Sequence, residues 1–141
     1  MKLWHKNYTL EEINLRGKGT MLEHLEIRFT EITPQHLVAT MPVDHRTLQA
    51  YGRLHGGASV ALAESVGSTA ANLCVDPAKQ YCVGLDINSN HLRGVRGGVV
   101  TGVAAPIHLG RSTYVWEIKI YNEEKQIINI SRLTMAVLEK P

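Results

Sequence analysis

Between His55 and Ser68 the chain reads His-Gly-Gly-Ala-Ser-Val-Ala-Leu-Ala-Glu-Ser-Val-Gly-Ser, and two chemical features stand in it. Alanine dominates the middle, proline is absent, and Pro77 follows Asp76 beyond the far end, so the stretch predicts one long helix. Glu64 falls mid-helix among small side chains that other backbone can approach closely. A carboxylate so enclosed needs a partner or a task. The task it can perform is acid–base or nucleophilic work at a carbonyl. Gly56 and Gly57 open the helix, where the first amides lack intrahelical acceptors and the dipole is positive. A carbonyl or oxyanion docked on the Gly56 N–H would be polarised. The plainer readings are a solvated helix face with an exposed Glu, and a Gly-rich opening turn.

The spacing of the two features carries a further implication. Eight residues of helix separate Gly56 from Glu64 by about 12 Å. One reacting carbon cannot lie within about 3 Å of both groups. If both act on one substrate, they come from different subunits, which implies a dimer with its helices side by side. On a helical wheel Leu62, Val66, Thr69 and Leu73 form an apolar stripe, with Glu64, Ser68 and Asn72 nearly opposite.

The rest of the chain must hold this helix in place. At 141 residues it is expected to be one domain, 1–141, with 44% hydrophobic and 20% charged residues, ordinary for a globular protein. A net charge of +2 argues against nucleic acid or an anionic membrane as the main partner. Met1 to Lys6 contains no apolar leader and no run spans a bilayer, so a cytoplasmic protein is expected. Seven histidines show no metal-ligand spacing, and Cys74 and Cys82 read as reduced core thiols; no metal is expected. Thr9 caps a short helix at 10–14 and a second short helix covers 21–25. Alternation at 26–32 and 37–41 around Thr33-Pro34-Gln35-His36 predicts a hairpin, and 42–53 is a loop leading to the long helix. Strands follow at 81–88, 99–107, 113–121 and 127–138, with breaks at 94–98, 108–111 and 122–125. This order predicts an α+β fold in which an antiparallel sheet wraps one long central helix.

Met41-Pro42-Val43-Asp44-His45-Arg46-Thr47, Leu54-His55-Gly56-Gly57, Ala61-Leu62-Ala63-Glu64, Gly84-Leu85-Asp86-Ile87-Asn88, His91-Leu92-Arg93 and His108-Leu109-Gly110-Arg111 together resemble the hotdog-fold acyl-CoA thioesterases. The resemblance is to the group of the Arthrobacter-type 4-hydroxybenzoyl-CoA thioesterase and the enterobactin-pathway proofreading thioesterase, and it covers nearly the whole chain. It implies a hotdog fold and hydrolysis of an acyl-CoA or acyl-carrier-protein thioester, with coenzyme A as part of the substrate and no other cofactor. It assigns Glu64 as base or nucleophile, Ser68 as the residue positioning the water or the carboxylate, and Gln49 as a donor to the thioester carbonyl from the mate's side. Ser68 as a small packing residue and Gln49 as a solvated loop residue are the plainer readings. His55 orients the thioester or supports the Gly56 loop by resemblance, and a helix cap on physical grounds. The resemblance further implies dimers with shared sites that pair into tetramers.

Two basic turns extend the resemblance. His91, Leu92, Arg93 and Gly94 stand on one with Arg96; His108, Leu109, Gly110, Arg111, Ser112 and Thr113 stand on the other. Arg forks and backbone amides suit the pyrophosphate and 3′-phosphate of coenzyme A, and the family places its nucleotide phosphates on these turns. Relatives commonly carry Pro where this chain has Gly94. Gly84, at the start of a strand, would let the pantetheine arm pass close to backbone. Met21, Val66, Thr69 and Leu73 are the candidates for an acyl pocket, and small helix residues favour an aryl or β-keto acyl group over a long alkyl chain. Two other readings compete: a hotdog dehydratase or hydratase, in which His55 and Glu64 act as a pair, and a non-catalytic acyl-CoA-binding protein.

Overall fold

The computed structural model describes residues 2–141. Its centre is helix α3 (Gly56–Cys74), laid across one face of a six-stranded antiparallel sheet. The strands are β1 (Arg28–Ile32), β2 (Leu37–Pro42), β3 (Gln80–His91), β4 (Val99–Leu109), β5 (Thr113–Tyr121) and β6 (Ile127–Glu139), in spatial order β1-β2-β4-β5-β6-β3. Two short helices precede them, α1 (Leu10–Leu15) and α2 (Met21–His24), each N-capped by a threonine, Thr9 and Thr20.

Period-two alternation builds the inner face of the sheet. Val100, Gly102 and Ala104 of β4, Trp116, Ile118 and Ile120 of β5, and Leu133 and Met135 of β6 all point at α3 and are buried. The helix answers with Ser59, Leu62, Ala63, Val66, Gly67, Ala70, Ala71 and Leu73. Small residues in that set let helix and sheet close: a Cβ at Gly67 would stand 2.7 Å from Leu133 Cδ2 and 3.1 Å from Ile118 Cδ1. The expected apolar stripe is therefore corrected at one position. Val66 and Leu73 are sealed in the core, whereas Thr69 is half-buried and lies outside it. Cys74 and Cys82 are free thiols, and burial pushes them up to about 12 and about 11.

Two strand ends differ from the sequence expectation. β3 runs on to His91 and β4 to Leu109, so His91, His108 and Leu109 are strand residues rather than turn residues. Their cross-strand partners, Asn129, Val115 and Tyr114, continue the ladders and extend the strands past the points where apolar alternation fades. β3 also carries a bulge between Gly84 and Asp86. Before it Gly84 stands opposite inward-facing Met135; after it Ile87, Ser89 and His91 stand opposite Leu133, Ser131 and Asn129. The extra residue switches the helix-facing side from even to odd positions, so that Gly84 and His91 both look toward α3.

The sheet has two edges. On β1, Phe29 N–H donates to Asn14 Oδ1 (2.8 Å) and Phe29 C=O accepts from Asn14 Nδ2 (2.9 Å), which blunts that edge. On β3, Asn72 of α3 does the same at Cys82 (2.8 and 3.0 Å). Beyond Cys82, β3 is a long open edge with exposed Val83 and, at 64%, Leu85. Among the described residues no helix is long and apolar enough to cross a membrane.

Candidate active site

The N-terminus of α3 is held by its own cap. His55 is extended at φ −64°, ψ 133°, and its Nδ1 accepts the Gly57 N–H at 2.8 Å. His55 C=O takes the Ala58 and Ser59 N–H groups at 3.0 and 3.2 Å. One amide of the first turn is left over: among the described residues the Gly56 N–H has no acceptor. It opens on a cavity of about 370 Å³ lined by Gln49, Arg53, Gly56, Ser59, His91 and Arg93 among others. The His91 ring covers Gly56 so closely that a Cβ there would lie 2.9 Å from Nε2. Gln49 Oε1 accepts the Tyr51 N–H, which leaves the Gln49 amide nitrogen as its free donor. Three residues with hydrogen-bond donors to offer, Gly56, Gln49 and His91, thus line one cavity.

Backbone and charge fix the loop that carries Gln49. The Gln49 N–H donates to Arg53 C=O (2.8 Å), Leu54 N–H to Val95 C=O (2.7 Å) and His55 N–H to Thr47 C=O (2.7 Å). Arg46 ties the same loop to the end of α2 and the segment that follows it through His24 C=O (2.6 Å) and Glu26, and pairs with Asp44 within the loop. Side-chain and backbone hydrogen bonds from Arg46 hold the Asp44 carboxyl well below the usual carboxylate range.

Glu64 lies elsewhere. It borders a second cavity, about 460 Å³, with Met21, Leu22, Gly57, Val60, Ala61, Ser65, Ser68 and Thr69. No lining residue is common to the two cavities. At 100° per residue, Gly56 and Ser59 point to one side of α3 and Ala61, Glu64 and Ser68 to another. The Glu64 carboxylate rests against Gly84 of β3, where a Cβ would stand 2.5 Å from Oε1. Among the described residues the Glu64 side chain makes no hydrogen bond or ion pair, although its neighbours Gly84 and Ser68 are polar at backbone and hydroxyl. Gly84, expected beside the pantetheine arm, makes room for the carboxylate. Of the four acyl-pocket candidates, Met21 and Thr69 border this cavity; Val66 and Leu73 are corrected, being fully buried under the sheet.

The two basic segments sit at opposite ends of the sheet. His91 pairs with Asn129 of β6, and Thr113 with Ala136 of the same strand. Seven residues of strand separate those positions, about 23 Å. Within one chain, His91-Leu92-Arg93-Gly94 and His108-Leu109-Gly110-Arg111-Ser112-Thr113 do not converge on one nucleotide. The first group is fastened by Leu92 and Arg93 N–H groups on Ile128 C=O (2.8 and 3.3 Å). The second is a tight hairpin in which Gly110 N–H donates to Thr113 C=O (2.9 Å) and His108 folds over Gly110.

Sequence reasoning missed Arg53 and the polar pair Asn129 and Ser131. Arg53 lies across Gly94, where a Cβ would meet its Cδ at 2.7 Å, and borders the Gly56 cavity beside Arg93. Nothing in the 42–53 loop marks it in sequence. Asn129 and Ser131 did carry a signal: they share the inward parity of Leu133 and Met135, so two polar residues interrupt a core-facing row.

A six-stranded antiparallel sheet wrapped on one long central helix is the hotdog fold, and similarity to known proteins makes the class that of the thioester hydrolases. Residues 51–128 match the thioesterase superfamily, and the chain belongs to that family. It is 51% identical over 136 residues to the 1,4-dihydroxy-2-naphthoyl-CoA hydrolase of Escherichia coli, covering 96% of this chain and 99% of the relative. It is 48% identical over 136 residues to the proofreading thioesterase EntH of Cronobacter sakazakii, covering 96% and 98%. A crystal structure of a mutant thioesterase from Pseudomonas aeruginosa superposes with a TM-score of 0.96 at 51% identity, covering 98% of this chain and 99% of that one. His55 Nδ1 is committed to capping Gly57, and the family match together with the hydrolase and thioesterase relatives favours thioester hydrolysis over the dehydratase reading.

Proposed function

We propose that the protein hydrolyses aryl- or small-acyl-CoA thioesters, with acyl-carrier-protein thioesters as further candidates, in sites completed by two subunits. The thioester oxygen docks on Gly56 N–H of one chain, with Gln49 and His91 as additional donors. The partner subunit's Glu64 approaches the carbonyl carbon from the other face, with Ser68 beside it. Two routes use this carboxylate. As a base it takes a proton from water, whose oxygen attacks carbon; the C–S bond then breaks and the thiolate leaves with a proton. As a nucleophile its oxygen attacks the carbonyl carbon, the C–S bond breaks and the thiolate leaves. Water then cleaves the acyl anhydride to release the free acid and restore the carboxylate. The chemistry needs coenzyme A only as the leaving group, and no further cofactor.

The observation that carries this reading is a pair of unclaimed groups on one helix, the Gly56 N–H and the Glu64 carboxylate, in cavities that share no residue. The open β3 edge beside Glu64 favours pairing with a second β3 about a two-fold axis. Such pairing would also let one nucleotide meet both basic segments, one from each chain. Pairing of dimers into tetramers and a cytoplasmic location belong to the same reading.

Complementation tests it. Benzoyl-CoA is supplied and the released thiol is followed with a dye. Glu64→Ala and Gln49→Ala proteins, each nearly inactive alone, are mixed, dissociated and reassociated. Random pairing makes half of the dimers hybrid, each with one intact site, and restores about a quarter of wild-type activity. Verified hybrids that stay inactive would mean that each chain builds its site alone.

A further inference from the structure

Behind His91 lies a closed ring of hydrogen bonds that the hydrolytic reading does not use. Asn129 and Ser131 are 0% and 1% exposed, on the inward side of β6, and face His91 and Ser89 directly across the β3–β6 ladder. Asn129 Nδ2 lies 2.6 Å from Ser89 Oγ and 3.1 Å from His91 Nδ1. Ser131 Oγ lies 2.8 Å from Asn129 Oδ1 and 2.8 Å from Ser89 Oγ.

Counting hydrogens decides the direction of every bond. With the amide nitrogen toward Ser89 and His91, one amide hydrogen goes to each. The Ser89 hydroxyl then donates to Ser131, and the Ser131 hydroxyl donates to Asn129 Oδ1, so every hydrogen has an acceptor. With the amide turned over, its nitrogen faces Ser131 alone and one buried amide hydrogen is left without an acceptor, which disfavours that arrangement. The first arrangement makes His91 Nδ1 an acceptor, so its single hydrogen is on Nε2. That nitrogen is the one held over Gly56.

We infer that Asn129, seated by Ser89 and Ser131, is a positioning residue that fixes His91 as the Nε2–H tautomer and aims that hydrogen at the oxygen docked on Gly56 N–H. The inference rests on the proposed hydrolysis for its use and on the hydrogen count for its geometry. Buried networks of this kind hold orientation because rotation of any member leaves another unpaired. His91 then meets the substrate already turned, and no reorganisation accompanies the growth of charge on oxygen.

The tautomer is read directly. Two-bond nitrogen–hydrogen correlation spectra of the full-length protein labelled with 15N-histidine, with the His91 signals assigned by their loss in His91→Gln, should show Nε2 protonated and Nδ1 bare. An Nδ1–H tautomer, or a fast mixture, overturns the inference with no variant needed. Asn129→Asp presents acceptors only and should place a hydrogen on Nδ1. Its kcat should fall about ten- to hundredfold, the scale of a misaligned oxyanion donor, with KM within a few-fold. Ser89→Ala is the milder variant, at a half-buried position: kcat falls a few-fold, and Ser89→Thr, which restores the hydroxyl, recovers it. Unchanged tautomer and unchanged kcat in a folded Asn129→Asp or Ser89→Ala protein would refute the inference. A wild-type protein with the stated tautomer but no thioester hydrolysis would refute the proposed function instead, leaving the tautomer assignment standing.

Discussion

The two cavities on α3 are built in opposite ways. Around Gly56 the side chains that carry the open donors are themselves anchored: His55 caps Gly57, Tyr51 occupies one end of the Gln49 amide, and Asn129 holds His91 from behind. Around Glu64 the carboxylate has a glycine beneath it and no hydrogen bond among the described residues. An oxyanion site gains from donors fixed before substrate arrives, because reorientation during reaction would cost much of the benefit. A base or nucleophile gains from lone pairs left unclaimed. The contrast shows where the chain invests order, and it makes each half breakable separately.

The largest effect should come from the bare half. Glu64→Gln keeps the shape and removes the basic oxygen, so kcat should drop by at least about a hundredfold, the usual scale for acid–base work. Steady-state kinetics with benzoyl-CoA checks it. A folded variant within a few-fold of wild type would remove Glu64 from the chemistry and leave the second cavity without a function.

A smaller effect should follow from filling the space under that carboxylate. Gly84→Ala places a methyl group 2.5 Å from Glu64 Oε1. The end of a flexible side chain yields more cheaply than the β3 backbone, so the protein should fold with its carboxylate displaced. Misplacement of about 1 Å can cost up to about a hundredfold in rate, and a loss of about tenfold or more in kcat is expected at near-unchanged thermal stability. Wild-type kcat would show that Gly84 does not set the carboxylate position.

Much of the frame was legible because its causes are local. The Ala-rich run before Pro77 gives α3, and alternation gives the strands. Gly56 and Glu64 declared themselves by type and position on one helix. What stayed hidden depends on pairing across the chain. The bulge at Gly84–Asp86, which decides that His91 faces α3, leaves no mark in the alternation of an already polar strand. The distance between the two basic segments depends on β6 running between them, which no spacing in sequence records. Asn129 and Ser131 interrupt the inward row of β6, but only the β3 register shows what they hold.

The rim of the ordered cavity should respond more mildly. Arg53 and Arg93 border it and form no ion pair among the described residues. Exposed charges that meet a phosphate contribute about 1 kcal/mol or less, so Arg53→Ala and Arg93→Ala should each raise KM for acyl-CoA a few-fold with kcat nearly constant. Arg111→Ala, at the far hairpin, should do the same only if a second chain brings that hairpin to the nucleotide. With acyl-pantetheine substrates, which lack the nucleotide, all three should match wild type. Equal losses on the truncated substrate would show that these side chains do not read the phosphates.

The smallest effect concerns the ion pairs that hold the Gln49 loop. Arg46 keeps the Asp44 carboxyl charged well below the ordinary carboxylate range, chiefly through its side-chain hydrogen bonds. A carboxyl whose folded value lies below its unfolded value of about 3.9 binds fewer protons folded than unfolded at intermediate pH. Its contribution is therefore complete above that unfolded value and declines as pH falls beneath it toward the folded one. Asp44→Asn removes the titration but not the shape. The urea midpoint of wild type should exceed that of Asp44→Asn by a constant small margin from pH 8 to about 5, and the margin should shrink between about pH 4 and 3. Amides of Gln49, Gly52 and Leu54 should exchange with solvent faster in the variant, while those flanking Glu64 on α3 do not change. A margin constant down to pH 3, or faster exchange spread equally over both cavities, would mean that the Asp44–Arg46 pair does not order the Gly56 side in particular.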